Sequence, residues 1–404
     1  MIGPATLAAQ QRWESVMMNT YGTPPLALSH GSGCTVWDVD GNAYTDLLAG
    51  IATASIGHAH PAIAAAVADQ AQRLVHTSNL FIHLGGLALA ERLLGLTGHD
   101  GRVFFCQDGA TANEAALKMA RRHGWLSDPA GGRLGVVAAA GSFHGRTMGA
   151  LSVTGNPAKR EPFAPLPGPV SFVPYGDADA LRDAVSERTA AVILEPILGE
   201  GGVIVPPPGY LAAARQACDE HGAILIIDEV QSGIGRTGAW FASLAAGVVP
   251  DIITVAKGLA GGMPLGAVIG LGPAAALFAP GDHGSTFGGN PVTTAAALAV
   301  IDTIDTQGLL DHVESLGKTW AAAFDAIDHP LLAGHRGTGL WRALQLASPI
   351  APAVERAARN AGFLVNAVRP DAIRLAPPLI LTEAEALAFA DALPVLLTAA
   401  EESP

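Results

Sequence analysis

Two buried strands, each followed directly by charge, decide the fold: "AILIIDEV" at 223–230 and "DIITVAKG" at 251–258. Their apolar residues are continuous and do not alternate, which is typical of strands covered on both faces. Asp228 and Glu229 follow the first apolar run, and Lys257 follows the second. Burying such a charge is costly unless a partner compensates it. The two strands therefore predict a buried site at one edge of a sheet.

Five further apolar runs accompany these strands, at 102–106, 135–140, 170–173, 190–194 and 265–271. Candidate helices lie between the runs, as in "GYLAAARQACDEHG" at 209–222. Alternating strands and helices predict an α/β fold with a mainly parallel seven-stranded sheet covered by helices. In such sheets ligands bind beyond the carboxyl ends of the strands. The charged strand ends are therefore where we expect a site.

The two ends of the chain show a different pattern. Residues 35–48, "TVWDVDGNAYTDLL", have hairpin character around Asp40-Gly41. A long helix candidate at 290–304 is followed by strand candidates at 339–346, 362–368 and 372–381 and by a final helix candidate at 382–397. We expect both chain ends to form a smaller α+β domain. The expected boundaries are 1–57 for the N-terminal segment, 58–300 for the large domain and 301–404 for the C-terminal segment.

The composition indicates a well-buried globular enzyme. Of its 404 residues, 50% are hydrophobic and 15% are charged, and the formal net charge is −13. This negative charge disfavours binding to nucleic acid or to anionic membranes. The three cysteines lie far apart, which argues against a zinc ribbon or a disulfide scaffold. Because the sequence shows neither a signal peptide nor an apolar run of about 18 residues, we expect a cytoplasmic protein without a membrane partner.

The lysine and the carboxylate at the strand ends suit pyridoxal 5'-phosphate (PLP). Its aldehyde condenses with a lysine amine, and its pyridine nitrogen stays protonated when a carboxylate faces it. Burial lowers the pKa of a lysine, which favours the nucleophilic amine, and the same amine can move a proton. The ordinary alternative is a solvated Lys257 and a helix-capping Asp228. Of the four lysines only Lys257 leaves a buried strand into a glycine-rich turn, so the pair together favours PLP.

Two other patterns lack the context that they need. "GIGRTG" at 233–238 fits the dinucleotide-binding pattern of a dehydrogenase. However, "DEVQS" separates it from the preceding strand, and Asp251 opens the next strand where an acidic ribose ligand should close it. His58 and His60 have no third ligand cluster beside them. We therefore expect neither a dinucleotide nor a metal.

A phosphate site is predicted where a strand turns into a helix within "FFCQDGATANEAALKMARR", 104–122. The free amides at the start of a helix bind phosphate, and a glycine such as Gly109 permits close approach. Phe143 in "SFHGRT" could stack on a pyridine ring, and Arg146 suits a carboxylate. Taken alone, the turn could equally be an ordinary strand–helix connection, and Arg146 would more often form a surface ion pair.

Seven segments occur in the order and spacing of the class III, fold-type I aminotransferases, and this resemblance covers nearly the whole chain. The segments are "FFCQDGATANEAALKMAR" (104–121), "FHGRT" (143–147), "LEPILGEGGV" (194–203), "IIDEVQSGIGRTG" (226–238), "AKGLAGGMPLGA" (256–267), "HGSTFGGNP" (283–291) and "IRLAPPL" (373–379). The resemblance implies a PLP-dependent homodimer with its active site at the subunit interface.

The reaction implied by the resemblance is transfer of the δ-amino group of N-acetylornithine to 2-oxoglutarate, a step of arginine biosynthesis. The products would be N-acetylglutamate 5-semialdehyde and glutamate. Ornithine, succinylornithine, N-succinyl-diaminopimelate and 4-aminobutyrate stay open as donors, because the shape of the pocket decides among them. An aminomutase, which needs no separate acceptor, and a binding protein that has lost its cofactor also stay open.

The resemblance also implies roles for individual residues. The implied cofactor contacts are Gly109, Ala110, Phe143, Asp228, Glu229, Val230, Gln231, Lys257 and, from the neighbouring subunit, Thr286. The implied substrate contacts are Tyr21, Arg146, Glu200, Ser285 and Arg374. Among them Lys257 and Asp228 are catalytic, Arg374 takes the α-carboxylate of glutamate, and Glu200 gates that arginine.

One turn departs from the family pattern. The family usually reads Ser-Gly-Thr/Ala-Glu at the phosphate turn, whereas this chain reads Asp108-Gly109-Ala110-Thr111. A carboxylate beside a phosphate is repelled by it, and Asp is also a favoured helix N-cap. We therefore expect Asp108 to turn outward as a cap while the backbone of the turn binds phosphate.

Overall fold

The structure is a computed structural model and describes residues 3–402. The strands are β1 Leu28–Ser32, β2 Thr35–Asp38, β3 Ala43–Asp46, β4 Gly101–Cys106, β5 Gly135–Ala139, β6 Val170–Val173, β7 Thr189–Leu194, β8 Ile224–Asp228, β9 Ile252–Val255, β10 Gly266–Leu271, β11 Leu332–Thr338, β12 Trp341–Leu346, β13 Phe363–Leu364, β14 Asn366–Arg369 and β15 Ala372–Leu375. The helices are α1 Pro4–Val16, α2 Ala49–Ala52, α3 Pro61–Arg73, α4 Leu84–Thr97, α5 Gly109–Ser127, α6 Met148–Ser152, α7 Pro157–Arg160, α8 Ala178–Ala184, α9 Tyr210–His221, α10 Ala242–Ala245, α11 Pro291–Thr306, α12 Leu309–Asp325, α13 Ala351–Asn360 and α14 Glu383–Glu402. Three short 3-10 helices cover Glu161–Phe163, Lys257–Ala260 and Gly272–Ala276. Within residues 3–402, no helix combines the length and the apolar character that a membrane crossing needs.

The large sheet has seven strands in the order β4-β10-β9-β8-β7-β5-β6. Strand β10 runs antiparallel to both of its neighbours, and the other pairs are parallel. Each of the seven predicted apolar runs forms one strand, so the mainly parallel seven-stranded sheet is confirmed. The strands β7 to β10 are buried along their whole length, as continuous apolar character predicts.

Helices cover this sheet on both faces because successive strand residues point in opposite directions. Val136 and Ala138 of β5 pack in a cluster with the apolar side of α5. The alternate residues of β5, Val137 and Ala139, pack in a second cluster with Leu181 of α8 and with α9. These two clusters and a third, which includes Ile253 of β9 and Ile269 of β10, form the core around the large sheet.

Two smaller four-stranded sheets contain the chain ends. The predicted N-terminal hairpin is confirmed as β2 and β3, and β13 pairs in parallel with β3 through Phe363 and Thr45. The other sheet has the order β11-β12-β15-β14 and is antiparallel throughout. The single strand predicted at 362–368 is wrong, since it is split between β13 and β14 in different sheets. The strand predicted to reach residue 381 ends at Leu375, because the prolines that follow cannot donate to a ladder.

We propose the domain division 1–57, 58–300 and 301–404. The pairing of β13 with β3 supports it, because it joins the two chain ends in one sheet. The second boundary lies inside α11, which continues to Thr306. Residues 1, 2, 403 and 404 of this division lie outside the described part of the chain.

Candidate active site

A cavity of about 640 Å³ lies at the carboxyl edge of the large sheet, beyond β8 and β9. Eight of the predicted site residues line it: Gly109, Ala110, Phe143, Arg146, Asp228, Val230, Gln231 and Lys257. They are far apart in sequence, and the order of the strands brings them to one edge. This is the position where α/β sheets of this kind bind ligands.

Lys257 lies two residues beyond β9, in the wall of the cavity. Its φ of 42° is left-handed, which is uncommon for a residue other than glycine. Burial lowers the pKa of its amine to about 8, although the negative charge of Asp228 partly opposes this effect. The neutral, nucleophilic amine is therefore well populated just above neutral pH.

The carboxylate of Asp228 is buried at the end of β8 and is fixed by three donors. Oδ1 accepts a hydrogen bond from the backbone amide of Val230 at 3.0 Å. Oδ2 accepts from Asn113 Nδ2 at 2.7 Å and from His144 Nδ1 at 2.8 Å. These three hydrogen bonds hold the Asp228 carboxylate in one orientation in the cavity wall.

Asn113 and His144 were not predicted from the sequence, yet both line the cavity. Asn113 Nδ2 also donates to the backbone carbonyl of His144 at 2.7 Å, and its Oδ1 accepts from Thr254 Oγ1 at 2.9 Å. His144 Nε2 is buried without a hydrogen-bond partner among the described residues. This pattern assigns the ring proton to Nδ1, where it is donated to Asp228.

Helix α5 begins at Gly109 and points its first turn into the cavity. The exposed Asp108 is its N-cap: Oδ1 accepts from the backbone amide of Thr111 at 2.8 Å, while Thr111 Oγ1 accepts from the amide of Asp108 at 3.2 Å. The expected capping role of Asp108 is confirmed, and Asp108 also forms part of the cavity lining. The amides of Gly109 and Ala110 belong to the helix end that has no acceptors within the helix.

Gly109 is required by close packing. A Cβ at this position would lie 2.7 Å from Val230 Cγ1, closer than carbon atoms can approach. The missing side chain lets the start of α5 lie directly against the segment that follows Asp228. The helix end and the carboxylate therefore face the same cavity.

Phe143 presents its ring to the cavity, and its backbone amide donates to Glu195 Oε1 at 2.8 Å. Arg146 Cζ and Lys159 Nζ lie 5.7 and 5.2 Å from the centre of that ring. These distances are in the range of a cation–π contact. Arg146 is exposed at the cavity, where its guanidinium is available to a ligand carboxylate.

Arg374 and Glu200 form an ion pair next to Gln231, which lines the cavity. Arg374 is 2% exposed, and its Nη1 donates to Glu200 Oε1 at 2.6 Å and to Gln231 Oε1 at 3.3 Å. Its Nη2 donates to Asn366 Oδ1 at 2.8 Å. Burial alone would raise the pKa of Glu200, but the charge and hydrogen bond of Arg374 outweigh this and lower it. The pair is therefore charged and closed in this structure.

Besides Glu200 and Arg374, four predicted residues are absent from the lining of this cavity. The carboxylate of Glu229 accepts hydrogen bonds from Ser232 and Ser243, which supports the loop after β8, and its contact with the cofactor stays a prediction. Tyr21 is 87% exposed and lies away from the cavity lining.

Ser285 and Thr286 lie in an exposed loop at a separate depression that includes Thr111 and Lys118. Ser285 Oγ accepts from the amide of Gly288 at 3.0 Å, which shapes the loop. A single chain therefore does not bring Ser285 or Thr286 to its own cavity.

Glu195 is a further site residue that the sequence interpretation missed. It follows β7 directly, just as Asp228 ends β8, so the same signal was present in "AAVIL" at 190–194. Its buried carboxylate lines the cavity and accepts from the amides of Phe143 and Gly199. Burial raises its pKa to about 7.

The cavity fits PLP by the chemistry of its walls. The buried amine of lowered pKa suits the aldehyde of PLP, and the oriented carboxylate suits its pyridinium nitrogen. The open helix end suits the phosphate, and the aromatic ring suits the flat ring of the cofactor. Residue types and positions both agree with the predicted cofactor.

Comparison with known proteins gives the same result. The family described as "Aminotransferase class-III" matches residues 16–397. A protein of Mycolicibacterium smegmatis named acetylornithine aminotransferase is 54% identical over 98% of this chain and 100% of its own length.

Two solved structures show the same fold. An ornithine aminotransferase of Toxoplasma gondii, whose structure is described as having partial occupancy of PLP at its active site, superimposes with a TM-score of 0.91 at 32% identity, covering 100% of this chain and 96% of its own. An acetylornithine aminotransferase of Elizabethkingia anophelis superimposes with a TM-score of 0.85 at 30% identity, covering 98% of this chain and 99% of its own. The chain belongs to the class III aminotransferases, a family of fold-type I enzymes that use PLP.

Proposed function

We propose that this enzyme transfers the δ-amino group of N-acetylornithine to 2-oxoglutarate, within arginine biosynthesis. The observation that carries the proposal is the closed Arg374–Glu200 pair beside the Lys257 cavity. An enzyme that alternates between an ω-amine and a dicarboxylate needs a positive group that can be hidden from the first and offered to the second. The name of the full-length relative from M. smegmatis supports N-acetylornithine as the ω-amine.

Different site residues would bind different parts of the cofactor. Asp228 would hold the protonated ring nitrogen, Phe143 and Val230 would flank the ring, and the amides of Gly109 and Ala110 would hold the phosphate. When bound, PLP supplies an aldehyde that takes up the amino group and a ring that delocalises the negative charge left by C–H cleavage. The Asn113 and His144 hydrogen bonds hold the Asp228 carboxylate in one orientation for this task.

Lys257 would provide the general base. With a pKa lowered to about 8, its Nζ can accept a proton from the substrate carbon and return it at neutral pH. Lys257 has a left-handed φ and begins a short 3-10 helix at the wall of the cavity, so the position of its amine does not rely on a flexible loop.

Arg146 would bind the carboxylate that both substrates carry far from the reacting nitrogen. Glutamate has a second carboxylate next to its reacting carbon, and Arg374 would receive it after Glu200 moves aside. With N-acetylornithine, the Glu200–Arg374 pair would stay closed, so that the arginine charge is neutralised.

We further propose that the enzyme is a cytoplasmic homodimer without nucleic-acid or membrane partners. Support for the dimer comes from a strongly exposed apolar segment, in which Leu80 is 84% and Ile82 is 81% exposed. This segment is attached to the loop of Ser285 and Thr286 through Asn79, whose Nδ2 donates to the carbonyl of Ser285 at 3.0 Å. Covering the segment with a second chain would place that loop at a subunit interface, where it could complete the partner's site.

A donor screen with 2-oxoglutarate as acceptor tests the proposed reaction. N-acetylornithine should give the highest kcat/KM among ornithine, succinylornithine, N-succinyl-diaminopimelate and 4-aminobutyrate. Without an acceptor, the reaction should stop after one amino group per site. A higher kcat/KM for another donor would replace the substrate assignment, and sustained turnover without an acceptor would identify an aminomutase.

A further inference from the structure

The segment Ala49–Ala52 has an unusual backbone for a chain of L-amino acids. Its four residues have φ angles of 53°, 61°, 63° and 62°, all in the left-handed region. Only one of them, Gly50, is glycine, and Ile51 is β-branched, which makes this conformation especially unfavourable. We call Ala49–Ala52 the left-handed turn.

A buried carboxylate holds the start of the left-handed turn. Asp46 Oδ1 accepts hydrogen bonds from the backbone amides of Leu48 at 2.9 Å and Ala49 at 2.8 Å. Its other oxygen, Oδ2, accepts from His58 Nε2 at 2.7 Å. His58, which follows the turn, is therefore hydrogen-bonded to Asp46, which holds the start of the turn.

The end of the left-handed turn leads into the active site. Thr53 lines the cavity, and its Oγ1 donates back to the carbonyl of Gly50 at 2.9 Å. Two residues later, Ser55 Oγ donates to the carbonyl of Gly258 at 2.7 Å. Gly258 directly follows Lys257, so the segment after the turn is bonded to the backbone of the catalytic lysine.

The same segment is fastened on its outer side. The carbonyl of Leu47 accepts from the amide of Ala376, and the carbonyl of Ser55 accepts from the amide of Leu379, each at 2.7 Å. These contacts hold both ends of the segment. The left-handed turn is held by its own backbone bonds, from the amide of Ala52 to the carbonyl of Leu48 at 2.9 Å and from the amide of Thr53 to the carbonyl of Ala49 at 2.8 Å, and Asp46 adds the bonds at its start. Nothing in the division of roles proposed above uses Asp46, His58 or the turn.

We propose that Asp46 and His58 are positioning residues that hold the left-handed turn in shape, so that Thr53 forms a fixed wall of the amine-donor pocket. Strained backbone persists only where its surroundings over-determine it, and such strain concentrates at ligand sites. Here the surroundings include the two hydrogen bonds that Asp46 Oδ1 accepts and the bond between Asp46 Oδ2 and His58. The proposal rests on the proposed function in assigning this wall to the donor.

Loss of the His58 bond frees Oδ2 of Asp46 and lets the left-handed turn relax towards ordinary backbone. Thr53 then moves, while the contacts of Ser55 with Gly258 and Leu379 still anchor the segment. The expected effect is a weaker hold on the donor with an intact cofactor site. A purely structural pair would instead change the melting temperature and leave the KM for the donor unchanged.

The test compares His58→Ala with His58→Gln, whose amide can still donate to Asp46. The matched control is His60→Ala, because His60 caps α3 in the same motif, accepting from the amide of Ala62 at 3.3 Å, and does not contact Asp46. Each variant is assayed as holoenzyme for KM and kcat with the donor that the wild type uses best, for melting temperature, and for the absorbance of bound PLP.

His58→Ala should raise the KM for the donor by roughly tenfold or more, since a misplacement of about 1 Å can cost a factor on the order of 100. Its kcat and its PLP absorbance should change much less, and His58→Gln should recover most of the loss. An unchanged KM in folded His58→Ala, or an equal rise in His60→Ala, would overturn the proposal. If His58→Ala does not fold, Asp46→Asn is decisive by the same criterion. Failure of N-acetylornithine to react would refute the proposed substrate and leave this comparison intact, because the best donor is used.

Discussion

Replacing Glu200 by alanine should change the preference of the enzyme between its two substrates. The substitution removes the only carboxylate that contacts Arg374 among the described residues and leaves neutral acceptors, Gln231 Oε1 at 3.3 Å and Asn366 Oδ1 at 2.8 Å. Removing one partner of a fully buried ion pair costs about 3–5 kcal/mol. Because the Glu200 side chain is 27% exposed, we take about 2 kcal/mol as the excess energy of the uncompensated arginine.

The α-carboxylate of glutamate can recover that energy by pairing with Arg374, whereas an ω-amine donor cannot. At 1.4 kcal/mol per factor of ten, Glu200→Ala should favour glutamate over N-acetylornithine by roughly 30-fold relative to the wild type. Under the proposed gate, the wild-type enzyme would have to break the 2.6 Å contact before glutamate binds, and the variant would not. Glu200→Gln, which keeps a hydrogen-bond acceptor without the charge, should lie between the two.

The assay is the single-turnover half-reaction, followed by the absorbance of the bound cofactor. Each enzyme is mixed with glutamate or N-acetylornithine over a range of concentrations, and the ratio of the two second-order rate constants is compared. Asn366→Ala is the matched control, because it removes a neutral contact of the same guanidinium. Equal changes in both half-reactions would refute the gating role of Glu200.

Three further predictions concern the cavity. Lys257→Ala should abolish turnover and the borohydride-reducible link to PLP; mass spectrometry that finds the link at another lysine would disprove the assignment. Glu195→Gln should become more stable relative to the wild type as the pH rises. Burial raises the pKa of Glu195 from 4.5 to about 7, so between these pH values the unfolded wild type ionises while the folded wild type stays protonated, and the wild type loses stability. A melting-temperature difference that is the same at pH 5 and pH 8 would contradict this. Asp108→Ser should strengthen PLP binding to the apoenzyme by roughly fivefold in a fluorescence titration, because an exposed like charge costs on the order of 1 kcal/mol. It should lower the melting temperature only slightly, since serine caps almost as well, and weaker PLP binding would mean that Asp108 assists the phosphate site.

The large sheet was predictable because its strands are buried on both faces. Continuous apolar runs such as 190–194 and 224–227 lack the alternation of half-exposed strands, and each is followed directly by a charged residue. Strand β11 was not predictable in this way, since Gly334 and Gly337 interrupt it and it has no apolar run. The signals that determine the fold are therefore strongest where the site lies.

The site itself was predictable only in part. Asp228 and Lys257 stand out because their charge follows buried strands, and Glu195 carries the same signal. Asn113 and His144, in contrast, reach Asp228 from loops and helices far away in the sequence, and neither has a local pattern that separates it from an ordinary polar residue. Their roles depend on how the helices pack on the sheet, which periodicity does not determine.

The pairing of β13 with β3 has a consequence for the synthesis of the chain. Strand β3 leaves the ribosome roughly 300 residues before its partner, a delay of about 15–60 s at ordinary elongation rates. During that time β3 is an unpaired edge strand of the N-terminal sheet, and it can pair with a strand of another nascent chain. Premature termination before Phe363 would leave that edge open permanently and would also remove Arg374. Incomplete chains should therefore aggregate and be degraded, and would not persist as partly active enzyme.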